Sequence, residues 1–243
     1  MIDIQGINKF LIINGDCFSS LKKIPDNSVR LILTDPPYNI AKYSTGNIKF
    51  DWRADINNDL AEWDLEELDP AKLVDEFKRI LTPDGNIFIF CSYNTIGEYH
   101  KVFDPVFDTF QFMVWHKTNP VPNFRKSSFL NSCELIVACW NKGHLWNFTN
   151  QADMHNFIES GICMGKERVK NKDGKNLHPT QKPIAVLERI IKIASNENDV
   201  VFDCFNGVGS TGEAALKNNR RYIGIEIERE YVEATVSRLN KYL

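Results

Sequence analysis

Short unbroken apolar runs alternate along this chain with amphipathic stretches, and the alternation predicts an α/β protein. Runs at 10–14, 29–33, 86–91, 110–116, 134–140, 199–203 and 222–226 are rich in Ile, Leu, Val and Phe, and predict seven strands. Helical spacing appears at 18–24, 70–81, 98–107, 184–194 and from 213 to 218. Within 70–81, Leu73, Val74, Phe77, Ile80 and Leu81 share one face, and Thr82-Pro83-Asp84-Gly85 should end the helix. Pro105 should break the helix at 98–107, whereas Pro183 suits the first position of the helix that buries Ile184, Leu187, Ile190, Ile191 and Ala194. Strands separated by helices predict parallel pairs with right-handed crossovers. Asp16 and Asp35 then end neighbouring strands at the carboxyl edge of the sheet, where open α/β sheets bind ligands.

Two stretches lack either periodicity. The first, 40–60, is polar and irregular and reads as a long substrate-side loop whose Tyr43 and Trp52, with Trp63 beyond, either cover a substrate or anchor the loop to the core. The second, 142–176, carries Lys166, Arg168, Lys170, Lys172 and Lys175. A solvated insertion and a phosphate-contacting segment both fit such a charge run. Lys117, Arg125 and Lys126, among Pro120, Pro122 and Phe124, form a second basic loop open to the same two interpretations.

Composition narrows the class without choosing a function. The 243 residues fit one α/β domain, and 43% apolar with 25% charged residues is ordinary for a globular protein with a full core. Six cysteines without a C-x-x-C pair signal neither a zinc site nor a disulfide framework, so no metal is expected. No apolar run approaches the roughly 18 residues of a membrane helix and no leader is recognisable, so a cytoplasmic protein is expected. A net charge of −3 requires that any nucleic-acid binding rely on locally clustered Lys and Arg.

Two motifs carry the chemistry. Asp35-Pro36-Pro37-Tyr38 follows a strand directly. Its prolines fix two φ angles and remove two N–H donors, which leaves a carboxylate and a backbone carbonyl as acceptors beside an aromatic face. That set matches an exocyclic amine on a planar ring, although alone it would pass for an ordinary turn. The second motif is Gly207-Val208-Gly209-Ser210-Thr211-Gly212, between a strand ending at Asp203 and a helix, with Glu226 at the end of the next strand. Strand, glycine loop, helix, strand and acidic end form an adenosine-binding unit that suits a dinucleotide or S-adenosylmethionine equally. The Asp35–Tyr38 turn favours the second, since a nicotinamide enzyme has no evident use for it.

Together these motifs resemble the amino-methyltransferases of DNA, specifically the circularly permuted beta group of the N4/N6 family. Gly15-Asp16-Cys17, the turn at 35–38, Trp115-His116-Lys117, Glu134, His178-Pro179-Thr180-Gln181-Lys182-Pro183 and the stretch 203–212 follow that group's order over nearly the whole chain. Cys204 stands where a proline is usual, and Val208 where a serine is usual. The resemblance implies a seven-stranded, mostly parallel, doubly wound Rossmann-like sheet, with the first strand beside the last. It implies a catalytic set of Asp35, Pro36, Pro37 and Tyr38. For S-adenosylmethionine it implies Asp16 and Cys17 near the adenine, Glu226 at the ribose, and Asp203 by the methionyl amine. Phe205, Asn206, Gly207, Gly209, Ser210 and Thr211 would lie along the cofactor, and His178, Thr180 and Lys182 would close over the methionyl carboxylate.

The implied reaction is transfer of an activated methyl group to adenine N6 in double-stranded DNA. The target base must be flipped out of the duplex, with Tyr38 stacking on it. Asp35 and the Pro36 carbonyl would accept from the amine and stabilise the positive charge that grows there. Cytosine N4 is the alternative, since its amine needs the same acceptors, but Asp at the first motif position is more usual in the adenine group. RNA or a glutamine amide would also suit the acceptors, and a binding subunit without turnover would not need them intact. A restriction endonuclease and a second copy of the chain are further partners compatible with the resemblance; a membrane is not. The segment 142–176 would read the target sequence.

Overall fold

The apolar runs settle by how completely they are apolar: the most uniform ones occupy the middle of a sheet and the mixed ones its edges. The computed structural model describes residues 1–38, 68–124, 126 and 128–243; the expected loop at 40–60, Trp63 and Arg125 lie outside the described residues. Among the described residues eight strands form one sheet. They are β1 (Phe10–Asn14), β2 (Val29–Thr34), β3 (Leu81–Cys91), β4 (Thr109–Lys117), β5 (Cys133–Trp140), β6 (Phe157–Ser160), β7 (Val200–Asp203) and β8 (Arg221–Glu226). Their order is β1-β8-β7-β2-β3-β5-β4-β6, with β5 antiparallel to both its neighbours and every other pairing parallel.

Successive side chains of each central strand feed two cores. On one face Ile32, Ile87, Ile89, Phe202, Ile223 and Ile225 pack under α1 (Cys17–Leu21), α2 (Ala71–Ile80) and α3 (Ile96–Phe103). On the other, Leu31, Leu33, Phe88, Phe90, Val201 and Tyr222 pack under α4 (Ile184–Ala194), α5 (Ser210–Lys217) and α6 (Arg229–Leu239). Burial on both faces is why these strands read as continuous apolar runs.

Three expectations change. Asp16 and Asp35 do end parallel strands, but β1 and β2 are not neighbours: β8 and β7 lie between them. All four residues of β7 are buried, as are five of the six in β8, whereas β1 is only partly covered, so the edge falls to β1. As the resemblance implied, β1 pairs with β8, Asn14 opposite Glu226. The seven expected strands become eight because β6 rises from the stretch 142–176; only Ile158 of its four residues is buried, too little to leave a pattern. Finally, 82–85 does not form a separate turn. Leu81 swings directly into extended backbone, and a bulge opposite β2 absorbs the extra residues between the Val29–Leu81 and Leu31–Asn86 pairs. No described helix is long and apolar enough to cross a membrane.

Phe202 sits fully buried at the centre of the sheet, so Phe202→Ala should cost about 3–5 kcal/mol of stability in urea unfolding. Phe129→Ser, on an exposed loop, should stay within about 0.5 kcal/mol.

Candidate active site

Because every strand except β5 runs the same way, their carboxyl ends collect at one edge, and β5, reversed, brings its first residues there too. Asp35–Tyr38 follows β2, Asp203 ends β7, Glu226 ends β8, Asp16 follows β1, Lys117 ends β4, and Glu134 begins β5.

At the β2 end four ionisable groups and a phenol share one largely buried corner. Lys182, 6% exposed, pairs through its ammonium with Asp35 Oδ2 and lies 3.5 Å from Glu134 Oε2. Lys117 Nζ lies 2.8 Å from Glu134 Oε1, and the Tyr38 hydroxyl donates to Glu134 Oε2 at 3.0 Å. The ammonium of Lys182 also stands 5.1 Å from the ring centres of both Tyr38 and Phe90. Asp35 Oδ1 is buried and meets no hydrogen-bond partner among the described residues. Burial raises Asp35 above the usual carboxylate range, with Lys182 opposing and Glu134 adding to it. Burial alone would raise Glu134 as well, but Lys182 and Lys117 together hold it below its ordinary value. Lys182 is raised despite burial, because both carboxylates favour its charged form. The corner thus sets Lys182 against Asp35 and Lys117 against Glu134, two matched pairs of opposite charge type.

At the β7–β8 end the glycine loop turns tightly. Gly207 and Gly209 take φ of 53° and 77°, in the left-handed region where a side chain is costly. A Cβ on Gly212 would stand 2.7 Å from the Tyr222 ring, so α5 can lie against β8 only with glycine there. Glu226 accepts from the Gly207 N–H at 2.7 Å and the Glu228 N–H at 2.9 Å; burial pushes it up to about 7 against those bonds. Asp203 accepts from the Thr34 hydroxyl at 2.6 Å and the Phe205 N–H at 3.1 Å, and burial raises it to about 6. Asn206 is buried and ties the loop to Thr235 (2.9 Å) and to the Tyr222 hydroxyl (2.8 Å). Ser210 and Thr211 are buried in the first turn of α5, and Phe205 packs against the core under α1. The Asp16 side chain caps α1 through the Ser19 N–H at 2.9 Å, beside buried Cys17. Gly15 N–H and Asn14 Nδ2 both donate to the Glu226 carbonyl at 2.9 Å, which fixes the Asp16 turn against Glu226.

His178 lies over this loop: its Nε2 would be 3.2 Å from a Cβ on Gly207, and its ring meets that of Tyr231 at 5.1 Å. Burial, with Lys182 and Arg168 nearby, pushes it down to about 3, so the ring is neutral. The Thr180 N–H donates to Nδ1 at 3.2 Å, which leaves the ring proton on Nε2. Thr180 itself is exposed.

Lys182 thus pairs with Asp35 while staying close enough to His178 to help keep that ring neutral. The basic residues divide similarly. Lys117 pairs with Glu134, and the Arg168 guanidinium donates to the carbonyls of His178 (2.7 Å) and Pro179 (2.9 Å), holding the turn in place. Lys126, Lys166, Lys172 and Lys175 are exposed, and Lys170 reaches Asn176 Oδ1 at 2.5 Å. Glu167 and Gln181 complete the brace: Glu167 Oε1 accepts from the Ile184 N–H at 2.8 Å, supplying the cap that Pro183 does not. Gln181 bonds Val169 N–H (2.9 Å) and the Glu167 carbonyl (2.8 Å). Thr34 and Glu134 received no role from their local sequence; their position at strand ends facing the carboxyl edge was the available signal.

A family model described as DNA methylase, of the N6/N4 type, matches residues 29–237. The chain is 37% identical over 257 residues to the Type II methyltransferase M.HinfI of Haemophilus influenzae, spanning 98% of this chain and 70% of that protein. It is 30% identical over 247 residues to the Type II methyltransferase M2.LlaDCHI of Lactococcus lactis subsp. cremoris, spanning 95% and 89%. The solved structure of the M1.HpyAVI–SAM complex superposes with a TM-score of 0.70 at 28% identity, over 95% of this chain and 99% of that one. PvuII DNA methyltransferase, described as cytosine-N4-specific, shares the fold with a TM-score of 0.67 at 16% identity, over 97% and 92%. The acceptor turn after β2 and the glycine loop after β7 fall inside these matches, and the chain belongs to the N6/N4 family of DNA methylases.

Proposed function

We propose that this protein transfers a methyl group from S-adenosylmethionine to N6 of an adenine flipped out of double-stranded DNA. The observation that carries the proposal is Asp35 Oδ1, a buried acceptor with no partner among the described residues, set beside the Tyr38 ring at the ligand-binding edge. S-adenosylmethionine supplies an activated methyl group, and the protein's task is to orient and polarise the amine that receives it. Asp35 Oδ1 accepts one N6–H and the Pro36 carbonyl the other, which favours a tetrahedral nitrogen and offsets its growing charge. Tyr38, its hydroxyl fixed by Glu134, stacks on the base with the face turned from Lys182.

The cofactor's place is supported by the chemistry of the donor set at the glycine loop. Glu226 takes the ribose hydroxyls and Asp16 the adenine amine. Asp203 faces the methionyl ammonium, and the neutral His178 offers Nε2–H to the methionyl carboxylate. Asp35 at the first motif position supports adenine over cytosine, since the resemblance associates that residue with the adenine group. Type II methyltransferases among the relatives support a place beside a restriction endonuclease. The stretch 142–176, with its exposed lysines, is the segment that meets the target duplex.

Glu226 is half protonated near pH 7, and only its anion is a strong acceptor, so S-adenosylmethionine should bind more tightly as pH rises from about 6 to about 8. Calorimetry on Glu226→Gln should show affinity lower by about 1.5–3 kcal/mol and no step near pH 7; tighter binding of NADH than of S-adenosylmethionine would refute the cofactor assignment. Asp35→Ala should abolish transfer in single-turnover assays while retaining most cofactor affinity. Tyr38→Ala should lose about 1–3 kcal/mol of stacking, and Tyr38→Trp should keep much of the rate. Nucleoside analysis of the labelled DNA decides the base, and label on cytosine would displace adenine. Neutralising Lys166, Lys172 and Lys175 should flatten the logarithmic salt dependence of duplex binding by about 0.9 for each phosphate that is no longer neutralised.

A further inference from the structure

The two oxygens of Asp35 are not equivalent. Oδ2 is held by the buried ammonium of Lys182, while Oδ1 is buried and without a partner among the described residues. Lys182 reaches this position from 147 residues along the chain, and its place is fixed on several sides: the aromatic rings of Tyr38 and Phe90 stand about it, and Glu134 Oε2 lies 3.5 Å away. Behind it, Lys117 neutralises the other oxygen of Glu134. Gln181, the preceding residue, is itself bonded to Glu167 and Val169, so the backbone that delivers Lys182 is braced.

Resting on the methyl-transfer function above, we infer that Lys182 is a positioning residue for the reaction: by holding Oδ2 it turns Oδ1 toward the target amine and keeps the Asp35 carboxylate anionic in a largely buried corner. No proton moves to or from Lys182 in this role. Other groups face Asp35 from each element packed around it. Glu134 on β5, Asp203 at the end of β7 and Cys91 at the end of β3 would each, when ionised, disfavour its charge. Tyr38 on its own turn and Tyr99 on α3 have phenols raised by burial and remain neutral, and the Tyr38 hydroxyl adds a smaller contribution in favour of the Asp35 anion. Lys182 is the cation in direct contact, and Lys117 acts only through Glu134. Without Lys182, burial would favour the protonated acid, which offers the amine a poorer acceptor.

The alternative for Lys182 is the methionyl carboxylate of the cofactor, and the two roles separate experimentally. Single-turnover methylation of duplex DNA is followed against pH for the wild type, Lys182→Met and Lys182→Arg, with S-adenosylmethionine affinity measured by calorimetry. The acid limb of Lys182→Met should move up by about one pH unit or more. Its cofactor affinity should stay within about threefold, and Lys182→Arg should restore the limb. An unmoved limb, or a defect confined to cofactor affinity, overturns the inference.

Should Lys182→Met fail to fold, Lys182→Met/Glu134→Gln keeps the corner electrically balanced and is compared with Glu134→Gln alone. The same upward shift is expected. The 13C resonance of the Asp35 carboxyl, assigned by its loss in Asp35→Asn, gives a readout that needs no turnover: its titration should move up when Lys182 is removed. If the wild-type protein methylated no DNA, the proposed function would fall, while this titration would still decide what Lys182 does to Asp35.

Discussion

Two carboxylates and two ammonium groups meeting largely out of water at the end of β2 are the constraint around which the site is built. Isolated, each charge would carry a desolvation penalty of several kcal/mol; matched, each has a partner. The arrangement requires β2, β4, β5 and the turn before α4 to arrive together, which the sheet achieves by reversing β5 alone. A reversed strand presents its first residues where its neighbours present their last, so Glu134 can stand beside Asp35 and Lys117. Chemistry at this corner therefore depends on one antiparallel strand in an otherwise parallel sheet.

The other half of the site is organised differently. At the glycine loop, polarity comes from backbone donors and from acids that burial pushes upward, with no cation among the described residues in contact with Glu226 or Asp203. The Asp35 corner sets each carboxylate against an ammonium group, whereas the loop holds carboxylates near their titration points. Such a division suits a site in which one end must stabilise a charge as it appears and the other must recognise a ligand reversibly. The turn at 178–183 joins the two, placing His178 over Gly207 and Lys182 against Asp35.

That turn also explains where part of the basic cluster went. Arg168 is committed to holding the carbonyls of His178 and Pro179, a task that a planar guanidinium with several donors performs better than an ammonium. The exposed lysines around it have no such internal duty. A segment that looks uniformly solvated in composition thus contains both a structural brace and a surface charge set, and the two differ only in what lies behind them.

The sequence by itself determined seven of the eight described strands, five of the six described α-helices and the two motifs, because each depends on local physics. Strands buried on both faces must be apolar throughout, two prolines fix a turn wherever they occur, and a glycine loop announces itself by residues that alone tolerate its backbone. Tertiary structure alone decided the order β1-β8-β7-β2, the extra strand β6, and the partners of the charged groups. Asp35 and Lys182 are 147 residues apart, and nothing near either one distinguishes a lysine that will be buried against a carboxylate from one that will be solvated. Lys117 and Arg168 were indistinguishable from Lys126 and Lys166 for the same reason: charge is written in the residue, but its burial and its partner are set by chain segments that meet only in the folded sheet.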